Sequence, residues 1–185
     1  MRMLLLALGA NMRGAWGGPA ETLARARREL AAAGVRTLRA SRLYATPPLG
    51  PGRQARYLNA VLKMEASLAP GALLRLVKGL ERRAGRRFGR RWGPRCLDID
   101  VLDFGGRRLG WPVRRRERGR LILPHPEMHR RAFVLVPLLE VDRHWRHPVF
   151  GVRGRALLGW LAAAAPRNLR QILDFAPFAC DKEEG

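Results

Sequence analysis

Apolar residues recur along this chain in two rhythms, one of period two and one near 3.6, and the changes of rhythm divide it into elements. Residues 3–8 (Met-Leu-Leu-Leu-Ala-Leu) predict a buried first strand that runs into the tight-turn sequence Gly9-Ala10-Asn11. Gly18-Pro19 predicts a helix start, with Leu23, Ala26, Leu30 and Ala33 on one face and a stop at Gly34. A second strand is predicted over 35–44, halted where Pro47, Pro48 and Pro51 cannot donate to a ladder. Residues 57–67 alternate, with Leu58, Ala60, Leu62 and Met64 on one face, Asn59, Lys63 and Glu65 on the other, and Val61 as an interruption. Pro70 opens a second helix, with Leu73, Val77, Leu80 and Ala84 at helical spacing and Gly85 as terminator.

Behind a basic loop, Leu97, Ile99 and Val101 alternate with Asp98 and Asp100, so a strand there turns its apolar set to a core and both carboxylates to the other face. Residues 105–120, including Arg114-Arg115-Arg116-Glu117-Arg118, read as an exposed excursion. A short strand over 121–123, helices over 133–140 and 152–165, and a loose tail from 176 complete the reading. The order strand, helix, strand, strand, helix, strand predicts an α+β fold, a ferredoxin-like α/β sandwich with a largely antiparallel sheet and flanking helices, placed on one sheet face. One domain is expected over 1–165, with a partly loose C-terminal extension over 166–185.

A chain of 185 residues, 47% hydrophobic, suffices for one compact core. Its net charge is +21, and 33 of its 36 basic residues are arginine. Guanidinium groups grip phosphate bidentately, although arginine-biased codon usage on a solvated surface produces the same skew. Such charge attracts any polyanion, nucleic acid and anionic membrane included, so it does not choose the ligand. Cys96 and Cys180 form no CxxC pair, which implies neither a zinc site nor a disulfide framework and fits a reducing cytoplasm. The apolar N-terminus reads as a buried strand rather than a signal peptide, and no segment approaches the ~18 apolar residues of a spanning helix, so no integral membrane anchor is expected.

The candidate chemistry lies in three segments. An Asp-x-Asp alone is a weak signal, but Asp98 and Asp100 follow Arg90, Arg91 and Arg95 around the rigid turn Trp92-Gly93-Pro94. Their side chains start roughly 6.5 to 7 Å apart and converge readily on cations about 4 Å apart, which points to magnesium plus polyphosphate. In Pro124-His125-Pro126-Glu127-Met128-His129-Arg130-Arg131-Ala132-Phe133, Pro126 weakens the helical geometry a zinc pair needs. His125 and Arg131 read better as phosphate donors, and Phe133 as core or a stacking surface; His144 and His147 read as surface or packing residues. Thr46-Pro47-Pro48-Leu49-Gly50-Pro51, followed by Tyr57-Leu58-Asn59, offers an asparagine whose donor and acceptor suit a heterocycle edge. Alone, that segment reads equally as a polar strand face beside a turn.

Together with Leu6-Ala7-Leu8-Gly9-Ala10-Asn11, these segments resemble the hydroxymethyl-dihydropterin pyrophosphokinase family of folate synthesis, in order from about residue 3 to 139. The run Arg-Trp-Gly-Pro-Arg-x-Leu-Asp-Ile-Asp and the Pro-His-Pro segment carry the resemblance. It implies transfer of the diphosphoryl group of ATP to the hydroxymethyl group of 6-hydroxymethyl-7,8-dihydropterin, with release of AMP and use of two magnesium ions. By similarity Asp98 and Asp100 hold the ions, and Arg91 and Arg95 stabilise the phosphates. Lys78, Glu81, Arg120, His125 and Arg131 border ATP. On the acceptor side Asn59 reads the pterin edge, Tyr57 and Phe133 stack, Thr46, Pro47 and Leu49 supply backbone contacts, and Trp92 joins the wall.

The chain departs from the family in having Gly9-Ala10-Asn11 where Gly-Ser-Asn is usual. Its segment 85–92 is one residue short, so Arg86, Arg87 and Arg90 are not matched individually to the arginines of the family's mobile loop, and 111–118 looks inserted. The resemblance implies small-molecule partners, no specific nucleic acid, and a monomer. Two rivals stand beside it: a basic nucleic-acid-binding module, motivated by the charge, and an inactive relative retained for a protein interaction. The aspartate pair argues against the first, because carboxylates repel phosphate unless a cation intervenes.

Overall fold

The N-terminal apolar run becomes β1 (Arg2–Ala10), the strand on which the sheet is built. The computed structural model describes residues 1–48, 53–86, 93–112, 121–164 and 172–178. After β1 come α1 (Pro19–Ala32), β2 (Arg36–Ala40), β3 (Leu43–Thr46), β4 (Tyr57–Ala66), α2 (Pro70–Arg83) and β5 (Asp98–Phe104). A 3-10 turn (Met128–Arg130), α3 (Ala132–Val141), α4 (Gly154–Ala164) and β6 (Leu173–Ala176) follow. The strands lie in the order β5-β1-β4-β3-β6, with β2 also on β4, and every pairing is antiparallel.

Pro19 opens α1 and Pro70 opens α2, where a missing N–H costs nothing, and Gly34 and Gly85 follow the two helices at φ +79° and +99°. The segment predicted as one strand over 35–44 is two, β2 and β3. At the break, Ser41 N–H donates to the Val61 carbonyl (3.0 Å) and Ser41 Oγ accepts the Val61 N–H (3.0 Å), so a side chain replaces a ladder bond. Two consecutive β5 residues, Leu102 and Asp103, occupy a bulge: Leu6 pairs with Val101 and Leu5 with Asp103, leaving Leu102 extra.

The expectation of helices on one sheet face is corrected. Leu4, Leu6 and Leu8 of β1, with Leu62 and Met64 of β4, pack under α1 and α2. Leu5, Val61 and Leu102 point the other way, into a second core with Val134, Leu135 and Leu138 of α3 and Leu157 of α4. Val61 is therefore no interruption, because both faces of the central strands are buried. Each such side chain stabilises the fold by about 1.5 to 3 kcal/mol. α3 is apolar on nearly all sides because it lies between the sheet and α4.

Other differences are local. Part of the predicted excursion is packed: Leu109 bridges Leu123, and Trp111 Nε1 donates to the Pro124 carbonyl at 3.0 Å. The short strand expected over 121–123 reduces to that bridge, and Arg114 to Arg118 lie outside the described residues. In the C-terminal extension, to which the sequence assigned no element, β6 pairs with β3 and Phe178 is buried in the α1 and α2 core. Among the described residues no helix is long and apolar enough to cross a membrane.

Candidate active site

The site begins with what β1 lacks. On the α3 side of the sheet its residues shrink from Leu5 to Ala7 to Gly9, and adjacent strands keep longer polar groups at the same level. Gly9 pairs with Asn59 of β4 and with Asp98 of β5, and Ala7 pairs with Val61 and Asp100. Asn59 and Asp98 thus stand two strand spacings apart, roughly 10 Å, across a floor without side chains. A Cβ at Gly9 would meet Asn59 Oδ1 at 3.1 Å. Above this floor lies a cavity of about 300 Å³.

One wall carries charge. Asp98 and Asp100 project from the same face of β5, as their alternation predicts, and both line the cavity. Asp98 accepts from Arg86 (NH1 to Oδ1, 2.6 Å) and faces Arg95 (Nε to Oδ2, 3.6 Å). Asp100 faces Arg131 at 3.5 Å and His125 at 3.7 Å. His125 is held in place by its own N–H, which donates to the Leu102 carbonyl of the bulge at 2.9 Å. Arg131 is the N-cap of α3 and its guanidinium lies 5.9 Å from the Phe133 ring centre.

Beneath this wall Glu81 is buried and does not line the cavity. Its carboxylate accepts the Ile99 N–H (2.9 Å), Lys78 Nζ (2.9 Å) and Arg86 NH1 (2.6 Å), tying α2 to β5 and aiming two cations. Burial raises the Glu81 pKa, opposed by Lys78 and Arg86. Burial pulls the Arg86 pKa down, but Asp98 and Glu81 outweigh it, and the net shift is upward. Arg86 therefore stays charged between two carboxylates. The missing residue in segment 85–92 leaves Arg86 unmatched in the sequence; an arginine one residue past a helix-ending glycine, five after a buried glutamate, is the signal that finds it.

The opposite wall is uncharged. Thr46, Pro47, Tyr57, Asn59 and Phe133 line it. Asn59 Nδ2 donates to Thr46 Oγ1 at 2.8 Å in a buried contact, which holds the amide against the strand pair and gives the Thr46 side chain a part in the wall. Tyr57 donates its hydroxyl to the Gly93 carbonyl at 3.1 Å, and burial, then Asp98, raises its pKa. Of the expected site residues, Lys78, Arg95, Asp98, Asp100, His125 and Arg131 meet this wall in one cavity. Leu49, Arg91, Trp92 and Arg120 lie outside the described residues.

Paired carboxylates and converging guanidinium groups, set across from an anchored amide on an antiparallel α+β frame, define a phosphoryl-transfer enzyme by class. Residues 5–143 match the family described as 7,8-dihydro-6-hydroxymethylpterin-pyrophosphokinase (HPPK), and the chain belongs to that family. It is 41% identical over 173 residues, 93% of this chain and 99% of the relative, to the 2-amino-4-hydroxy-6-hydroxymethyldihydropteridine pyrophosphokinase of Methylorubrum extorquens. The enzyme of the same name from Mycobacterium bovis is 37% identical over 181 residues, covering 96% of this chain and 92% of its own. Among solved structures, wild-type HPPK-DHPS of Plasmodium falciparum with SDX-DHP shares the fold at a TM-score of 0.66 and 14% identity. That likeness covers 93% of this chain, which spans 47% of the larger one.

Proposed function

We propose that this chain transfers the diphosphoryl group of ATP to the hydroxymethyl group of 6-hydroxymethyl-7,8-dihydropterin, giving AMP and the pterin diphosphate, in folate biosynthesis. The observation that carries the reading is the single cavity in which Asn59 faces Asp98 and Asp100 across Gly9. The donor set suits magnesium: two carboxylates, 30% and 31% exposed at the side chain, with no cluster of three or more His, Cys, Asp or Glu among the described residues. A small hard cation that keeps waters and substrate phosphates as its other ligands needs no more. When bound, two magnesium ions on Asp98 and Asp100 would neutralise charge on the triphosphate.

The chain's own groups supply the rest. Arg86, Arg95 and Arg131 stabilise phosphate oxygens, with Lys78 and His125 at the edge of the same wall. Asn59, its amide held by Thr46, reads the pterin edge, and Tyr57 and Phe133 enclose the ring. The pterin hydroxyl oxygen forms a bond to the β-phosphorus, the bond from that phosphorus to the α,β-bridging oxygen breaks, and AMP leaves with that oxygen. The hydroxyl proton is lost to solvent; among the described residues the cavity presents no dedicated base. Catalysis here is positioning plus electrostatics. We place the enzyme, acting as a monomer, in a reducing cytoplasm, which the buried free thiol of Cys96 supports.

The test is to mix purified protein with magnesium, ATP and the hydroxymethyl pterin and to identify the nucleotide product. AMP with pterin diphosphate is expected. ADP, or no turnover by folded protein, overturns the reading.

A further inference from the structure

Asn11 directly follows β1 and is only 4% exposed. Its side-chain Oδ1 accepts the backbone N–H of Arg95 at 2.7 Å, while its own N–H donates to the Arg95 carbonyl at 2.9 Å. Its Nδ2 donates to the Ala55 carbonyl at 3.1 Å and to Gln54 Oε1 at 3.3 Å. A backbone N–H only donates and a backbone carbonyl only accepts, so the two main-chain partners fix which way the amide points. One end of the amide therefore holds the residue that presents the Arg95 guanidinium to the phosphate wall. The other end holds the segment that enters β4 at Tyr57 on the acceptor wall.

We propose that Asn11 is a positioning residue that sets the distance between the phosphate-side arginine and the acceptor wall. This rests on the function proposed above. A carboxylate at position 11 keeps the Oδ1 acceptor for Arg95 and replaces the donor facing Ala55 with an oxygen, so Asn11→Asp loosens the acceptor side alone. Asn11→Ala removes both ends.

Steady-state kinetics on wild type, Asn11→Asp and Asn11→Ala, each shown to be folded by circular dichroism at the assay temperature, test this. Wild-type turnover to AMP in the same assay keeps the reaction itself out of question. Asn11→Asp is expected to raise KM for the pterin about tenfold, with KM for ATP within twofold of wild type. Asn11→Ala is expected to raise both and lower kcat by about tenfold or more. If Asn11→Ala does not fold, the split seen in Asn11→Asp decides. Kinetic constants of folded Asn11→Asp that stay within twofold of wild type, or that rise equally for both substrates, would overturn the proposal and leave Asn11 a stabilising contact only.

Discussion

β5 carries three aspartates, and its two ends use them differently. Asp98 and Asp100 stand partly exposed over the cavity, Asp98 facing Arg86 and Arg95 and Asp100 facing Arg131 and the His125 imidazole. Asp103, just past the bulge, is 7% exposed and has a fixed partner at each oxygen: the Gly106 N–H and Trp145 Nε1, both at 2.8 Å. Trp145 in turn packs against His147, whose Nδ1 accepts the N–H groups of Val149 and Phe150 at 3.2 and 3.4 Å. The same side chain on the same strand thus carries the proposed chemistry at one end and serves as scaffold at the other. What separates the two ends is whether the partners are basic groups lining a cavity or neutral donors packed in a core.

Substitution should split the strand along that line. Asp98→Ala or Asp100→Ala is expected to reduce kcat/KM by about a thousandfold or more, ~4 kcal/mol of transition-state stabilisation, with the thermal midpoint little changed. Near-normal turnover in either variant would remove these carboxylates from the chemistry. Arg86→Ala should cost about a hundredfold in kcat, measured by release of AMP, because it takes one charged donor from the phosphate wall and one partner from Asp98.

Acid should attack the scaffold end. Burial, then His129, lowers the His147 pKa from 6.5 to about 4. The folded protein keeps His147 neutral where the unfolded chain binds a proton, so stability is full above about pH 6.5 and declines as pH falls toward about 4. The loss reaches ~3 kcal/mol. Denaturant titrations across that range in wild type and His147→Asn should show a slope in the first that is flattened in the second. Asp103→Ala should cost a further few degrees, about 1 to 3 kcal/mol, by leaving Trp145 Nε1 buried without an acceptor, while the folded variant keeps its turnover. Asp103→Asn, which retains an acceptor, should lose less. If Asp103→Ala abolished catalysis without destabilising the chain, the two ends would not be distinct.

Much of this is legible in the sequence where a local pattern is enough. Period-two alternation places both cavity aspartates on one face, and proline and glycine mark the ends of α1 and α2. The features that escaped depend on pairs remote in sequence. Val61 looked like an error of alternation because nothing in β4 announces that α3 covers its second face. Thr46 gave no hint that its hydroxyl holds Asn59 across the strand pair. Arg86 was hidden by loop spacing, and its role becomes visible only once Glu81 and Asp98 are seen on either side of it. The same limit applies to Asn11, whose motif was legible but whose partners lie 43, 44 and 84 residues away.

Leu102, the supernumerary residue of the bulge, has an electrical consequence. Strict alternation over Asp98, Asp100 and Leu102 would turn Asp103 to the opposite sheet face; the extra residue returns it to the face of Asp98 and Asp100, opposite Leu5. Leu102 stands between Asp100 and Asp103 on that face as an apolar spacer, buried in the α3 core, and lengthens the gap between the cavity pair and the structural carboxylate. The added separation weakens the repulsion between Asp100 and the carboxylate that anchors Trp145. Because the carbonyl of Leu102 also accepts the N–H of His125, one residue both separates the two ends of the strand and anchors the cavity histidine.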